Sequence, residues 1–344
     1  MRLLIRADAT TRMGSGHLMR CMALGEAWQQ EGGTVEFLTR CENTALLGRL
    51  QVEGFSVRQL GADSDWDAFD AAAKSAPDAA LVLDGYQFDA DYQKCARSFF
   101  QPLLVMDDLA DLPCYSADLV LNQNIYAPGL CYVHEPHTRL LLGCRWALLR
   151  REFCRWRDWR REIPAMGRRV LVTLGGSDPD NVTLKVMQAF RCSGLADELE
   201  IRVVAGAGSP HLPELEETSR ASRNIRLCSN VRDMPALMAW ADIAVTGAGS
   251  TCWETAFMGL PSLTIILAEN QKRIAEGLER AGAAISLGWH KDLSPEGMAV
   301  SIEGILRARP CRERLSERGR PLVDGNGAAA TVSVMQELSC ERNV

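Results

Sequence analysis

Gly14-Ser15-Gly16-His17 stands between an apolar run, Leu3-Leu4-Ile5, and a stretch patterned as a helix from about His17 to Gln30. A glycine-rich turn from strand to helix lets backbone N–H groups approach a ligand, and the helix start adds partial positive charge. That combination suits phosphate. A histidine in the first turn adds a group that exchanges protons near neutral pH, beside the bond such chemistry would break. His17 is therefore the candidate catalytic base, with Gly14 and Gly16 as ligand-facing backbone. The remaining histidines, His134, His137, His211 and His290, lie in loop-like contexts without such a setting.

A second constellation is Thr246-Gly247-Ala248-Gly249-Ser250-Thr251-Cys252-Trp253-Glu254, where an apolar strand runs into small residues and then a helix. Ser250 and Thr251 can cap that helix and offer hydroxyls to a diphosphate, and Glu254, one turn in, can accept hydrogen bonds from a ribose diol. An ordinary glycine-rich turn before a capped helix fits the same residues. Gly175-Gly176-Ser177 is a further exposed turn after a strand, and backbone near Val231, within Asn230–Pro235, can meet a base edge. No GxxxxGK[ST] segment occurs, and Gly14-Ser15-Gly16 continues to Met19 rather than glycine, which disfavours ATP bound through that loop and NAD.

Tyr86 follows an expected strand end, where a side chain faces a ligand cleft or packs half-buried. Asn270 and Gln271 open a helix, where they bind sugar hydroxyl or acetamido groups or, for Asn270, cap. Asp8, Asp107 and Asp108 also fall at strand ends, suited to orienting His17, holding substrate or capping turns.

Those residues need a scaffold, and 344 residues suit two domains. A formal charge of −6 argues against nucleic acid as a partner. No apolar run approaches bilayer length and the chain opens on a strand, so a cytoplasmic monomer without membrane insertion is expected. Twelve cysteines are scattered singly, without CxxC or zinc-like histidine spacing, so neither metal nor cofactor is expected.

Apolar runs predict strands at 2–7, 34–39, 55–60, 79–83, 102–106, 117–121 and 139–142, with helices at 16–31, 43–52, 64–75 and 89–99. The second half repeats the theme, with strands at 168–174, 199–204, 225–228, 242–246, 262–267 and 284–287. Such alternation implies parallel sheets covered by helices on both faces. The expected fold is α/β, two doubly wound Rossmann-like domains facing across a cleft: 1–160, 165–325 binding nucleotide, and a terminal helix in 326–344. The arginine- and tryptophan-rich stretch 150–161 is expected to be an interdomain helix with a solvated face.

From Arg6-Ala7-Asp8 through Met13-Gly14-Ser15-Gly16-His17-Leu18-Met19-Arg20-Cys21, the chain resembles the pseudaminic acid pathway hydrolases that act on a UDP-linked 2,4-diacetamido-2,4,6-trideoxy sugar. The resemblance continues through Leu83-Asp84-Gly85-Tyr86, Met106-Asp107-Asp108, Leu121–Tyr126, Gly143–Phe153, Leu174–Asp178 and Ala268–Gln271. Gly247–Pro261 is similar to the UDP-sugar site of the lipid II N-acetylglucosaminyltransferase, of the GT-B type. These resemblances imply hydrolysis of a UDP-sugar by water at the anomeric carbon, with inversion. They imply His17 as base, Tyr86 on the sugar, and Ser250, Thr251, Glu254 and backbone near Val231 on UDP. The alternative is a GT-B glycosyltransferase.

Overall fold

The computed structural model describes residues 1–9, 14–61, 65–176, 178–206, 209–229 and 231–341. The chain divides into two compact units: Met1–Arg151 together with Gly325–Val344, and Glu152–Asp324.

In the first unit β1 (Arg2–Ala7), α1 (Gly16–Gln30), β2 (Thr34–Thr39), α2 (Thr44–Val52), β3 (Ser56–Gln59), α3 (Asp65–Ser75), β4 (Ala80–Asp84) and α4 (Ala90–Phe99) alternate, followed by β5 (Leu103–Met106), β6 (Leu119–Asn122) and β7 (Arg139–Leu142). All seven strands are parallel, in the order β3-β2-β1-β4-β5-β6-β7. Side-chain alternation sends Leu3, Ile5, Val82 and Leu104 to the face covered by α1, while Leu4, Leu81, Leu83 and Leu103 meet Phe69 of α3 and Ala96 of α4. Burial on both faces is why these strands read as continuous apolar runs.

A short α5 (Arg151–Cys154) spans the division between the units. The expected helix across 150–161 stops there. Arg155–Asp158 turns, and the guanidinium of Arg161 donates to the carbonyls of Met238 at 2.6 Å and Met258 at 3.3 Å. It thereby satisfies carbonyls at the ends of two second-unit helices, where a cation is favoured, and that docking replaces helix continuation.

The second unit holds β8 (Arg169–Thr173), α6 (Val182–Cys192), β9 (Glu200–Ala205), α7 (Leu212–Arg220), β10 (Ile225–Ser229), α8 (Met234–Trp240), β11 (Ile243–Gly247), α9 (Thr251–Phe257), β12 (Ser262–Ile266), α10 (Lys272–Arg280), β13 (Ile285–Trp289), α11 (Pro295–Arg307) and α12 (Arg309–Gly319). Its parallel sheet runs β10-β9-β8-β11-β12-β13. The last helix, α13 (Gly327–Glu341), joins the first unit, where Ala328, Val332, Met335 and Leu338 pack in the core that includes Leu18, Cys21 and Met22 of α1. The chain thus returns to brace the helix that carries His17. Met335→Ala should cost about 2–5 kcal/mol in chemical denaturation, with faster hydrogen exchange in α1 showing where the loss falls.

Candidate functional site

Strand order reverses between β1 and β4 in the first unit, since the chain moves outward through β2 and β3 before returning. Loops at the carboxyl ends of strands flanking such a reversal diverge and leave a crevice. Register pairs Ala7 with Asp84, so the end of β4 lies beside the end of β1, whose loop leads into α1. Gly14 adopts φ +73°, which favours glycine, and a Cβ on Gly16 would meet no atom within 4 Å. Ser15 precedes α1 without a side-chain cap, so its own hydroxyl does not satisfy the first N–H groups.

His17 Nδ1 lies 2.5 Å from a carboxylate oxygen of Asp84, which has no exposed surface. An ionised carboxylate only accepts, so Nδ1 is the ring nitrogen that donates, and Nε2 is the one turned away from Asp84. Arg20, one turn along α1, donates to both Asp84 oxygens at 2.7 Å and to Asp108 at 2.9 and 3.2 Å. Asn124 donates to Asp108 at 2.8 Å, and the Tyr86 hydroxyl at 3.2 Å. The Tyr86 ring stands edge-on to the imidazole, centroids 5.3 Å apart, and is 51% exposed. His17 is thus held from behind while Tyr86 reaches solvent.

Burial strongly opposes a charge on Asp84, but the charges of Arg20 and His17 and the hydrogen bonds from both outweigh it. Its carboxyl is held well below the usual carboxylate range. Burial likewise pushes Asp108 up, and Arg20 more than reverses that, leaving its pKa lowered. Cys21, whose thiol donates to Asp84 at 3.3 Å, is pushed up by burial and by that carboxylate. It is a packed thiol there rather than a nucleophile.

The three aspartates at strand ends separate clearly. Asp107 accepts from Leu109 N and Ala110 N and from the hydroxyls of Tyr115 and Tyr132, so it staples its own loop. Asp8 accepts from Arg6, Arg40 N and Gln87, in a group that also binds Asp65. Only Asp108 joins the histidine cluster. The residue that orients His17 is Asp84, and its cation is Arg20. Both lie inside the stretches that carry the family resemblance, yet no local spacing marks them, because strand order brings them together.

The second unit repeats the geometry at its own reversal, between β8 and β11, with Thr173 in register with Thr246. Gly175 has φ +98°, and Gly206 has no room for a Cβ, which would lie 2.1 Å from the Gly176 carbonyl oxygen. The two turns here are not equivalent. Asp178 places its carboxylate on Val182 N at 2.9 Å and Thr183 N at 2.7 Å, so α6 is already capped. An anion at the start of α6 would have to displace that carboxylate, so the exposed turn Gly175-Gly176 offers its own backbone rather than this helix start. Ser177 and Asn230 lie outside the described residues.

At α9 the expectation also changes. Ser250 occupies the capping position but makes no side-chain cap hydrogen bond, because its backbone is already helical at φ −58°, ψ −26°. The start of α9 is thereby left to be satisfied by something other than its own serine. Thr251 opens this helix and Glu254 lies in its first turn. Asn270 and Gln271 lie in a 3-10 turn, Glu269–Gln271, before α10. Gln271 accepts from Leu267 N at 3.0 Å, and its Nε2 would lie 3.6 Å from a Cβ on Gly249, which ties that loop to the glycine turn. Asn270 does not cap α10, since the capping position is Gln271. Val231 follows β10, two strands from β8, and so stands apart from the reversal.

Among the described residues no helix is long and apolar enough to cross a membrane. Residues 169–319 match the family model described as the glycosyltransferase family 28 C-terminal domain. Over 352 aligned residues the chain is 25% identical to the spore coat polysaccharide biosynthesis protein SpsG of Bacillus subtilis, covering 97% of each. It is 23% identical to the UDP-2,4-diacetamido-2,4,6-trideoxy-beta-L-altropyranose hydrolase of Campylobacter jejuni, covering 82% of this chain and 97% of that one. The crystal structure of Acinetobacter baumannii MurG superposes with a TM-score of 0.65 at 15% identity, covering 98% of this chain and 99% of that one. Together these similarities support the family that holds SpsG and the altropyranose hydrolase, and the two Rossmann-like units have the GT-B fold.

A carboxyl whose folded pKa is depressed stabilises the fold above its unfolded pKa of about 4, and that contribution is lost as pH falls through the folded value. The stability gap between wild type and Asp108→Asn should therefore hold from neutral pH to about pH 5 and narrow toward pH 3. Urea midpoints across that range measure it, and a gap that widens in acid would contradict the ionised Asp108.

Proposed function

We propose that this relative of SpsG and the altropyranose hydrolase cleaves a UDP-linked 2,4-diacetamido-2,4,6-trideoxyhexose to free sugar and UDP, the chemistry of pseudaminic acid biosynthesis. The observation that carries the reading is the pairing of His17 with Asp84. A proton fixed on Nδ1 leaves Nε2 able to take one from water.

In the proposed step water gives a proton to Nε2 while its oxygen bonds to the anomeric carbon. The bond from that carbon to the diphosphate oxygen breaks, and its electron pair leaves with UDP. Attack opposite the leaving group inverts the anomeric centre. Asp84 stabilises the imidazolium that results, without itself taking the proton. The diphosphate is assigned to the second unit, at the N–H groups of Ser250 and Thr251 and the glycine turn before them, with Glu254 on the ribose. Backbone near Val231 is assigned to the uracil, and Gly175-Gly176-Ser177 to the rim of the nucleotide pocket. Tyr86, beside the imidazole, with Asn270 and Gln271, is assigned to the sugar, and Gly14 and Gly16 give it room to approach.

A second reading is a GT-B glycosyltransferase, favoured by the family 28 match in the second unit. There His17 would deprotonate an acceptor hydroxyl instead of water. Incubation with the UDP-sugar alone in 18O-labelled water separates the two. Hydrolysis releases UDP without acceptor and places the isotope in the sugar. Release only on adding an acceptor, or isotope in the phosphate, overturns the proposal. His17→Gln should lower kcat by about 10²–10⁴-fold. Asp84→Asn should act on kcat rather than KM, because it misplaces the proton and not the substrate.

A further inference from the structure

Asp84 is shared. His17 and Arg20 both bond to it, and Arg20 Nη2 comes within 3.3 Å of His17 Nδ1. A guanidinium so close to an imidazole disfavours the imidazolium, opposing the carboxylate that favours it. Asp108 lies on the far side of Arg20 and partly cancels its charge. Arg20, Asp84 and Asp108 are each at most about one-tenth exposed, so water screens these charges weakly.

We infer that Arg20 and Asp108 are positioning residues of opposite sign that set the proton affinity of His17, Arg20 lowering it and Asp108 raising it. The inference rests on His17 being the working base. With a neutral imidazole the cluster carries one guanidinium and two carboxylates, a single net negative charge, and proton uptake by Nε2 neutralises it. Among the described residues, the other groups facing the cluster are the Cys21 thiol of α1 and the Tyr86 hydroxyl after β4. Tyr86 adds no formal charge, Asn124 donates to the Asp108 carboxylate as a neutral group, and the Tyr126 hydroxyl donates to the Asp108 backbone carbonyl.

A side chain that only holds the fold together would lower stability when replaced, without a signed effect on the ring. The two charges predict opposite signs. Arg20→Gln leaves two carboxylates near the imidazole, so the His17 titration midpoint should rise by about one pH unit. Asp108→Asn leaves the guanidinium less compensated, so the midpoint should fall by about half a unit. Arg20→Lys keeps the charge and should restore the midpoint to within a few tenths of a unit of wild type, whatever its effect on stability.

The experiment is a 15N NMR titration of the histidine rings in the full chain without substrate, with His17 assigned by its loss in His17→Gln. Circular dichroism checks that each variant is folded. Arg20→Gln strands two buried carboxylates and can unfold the unit, so the doubly substituted Arg20→Gln/Asp108→Asn chain accompanies it. Removing both charges restores the single net negative charge, and its midpoint should return close to wild type. Opposite shifts, with the double variant between them, establish the pair. Shifts of the same sign, an unmoved midpoint in folded Asp108→Asn, or a double variant displaced well away from wild type overturn it. The titration needs no turnover, so a failure of hydrolysis in the UDP-sugar assay leaves it intact, and a failure here leaves that assay standing.

Discussion

A carboxylate with no exposed surface is costly to hold in a protein interior, by several kcal/mol, unless cations and donors surround it. Asp84 is such a group, at the end of a strand buried along its whole length. The guanidinium of Arg20 and the imidazole of His17 meet that cost together, and Asp108 in turn holds the guanidinium. Removing one partner leaves a buried charge exposed to the full penalty, so the members of this cluster stand or fall together. Its orientation follows from the same constraint. Once Asp84 binds Nδ1, the opposite ring nitrogen is the one left for chemistry.

The sheet makes that arrangement possible. Parallel strands reverse order beside β1, and the two carboxyl ends that flank the reversal deliver α1 and Asp84 to one place. His17, Arg20 and Cys21 are spaced so that one helical face presents all three toward β4. Core packing behind that face by α13 keeps the helix from turning. The second unit uses the same reversal with a different outcome. One helix start is filled by Asp178, while the other receives no hydrogen bond from its own serine, so the choice between two similar glycine turns rests on where a carboxylate already sits.

Much of the scaffold was legible in the chain because strands buried on both faces are apolar runs and the helices between them are bounded by turn residues. Expected strands at 2–7, 34–39 and 139–142 coincide with β1, β2 and β7. His17 stood out through its glycine neighbours, a local signal. Asp84 did not, because its role depends on strand order and on a register set across 67 positions. Arg20 was equally silent, being one arginine among many until β4 is laid beside α1. The stretch 150–161 misled for a related reason. Its pattern permits a helix, and what ends the helix is the docking of Arg161 on carbonyls about eighty to a hundred positions away.

The most direct test of this account asks which ring nitrogen of His17 holds the proton at neutral pH. Long-range 1H–15N correlation on selectively labelled protein reads that tautomer. The account predicts the proton on Nδ1, in a strong hydrogen bond lost in Asp84→Asn, with Nε2 bare. A proton on Nε2, or a spectrum indifferent to the change at Asp84, would contradict it.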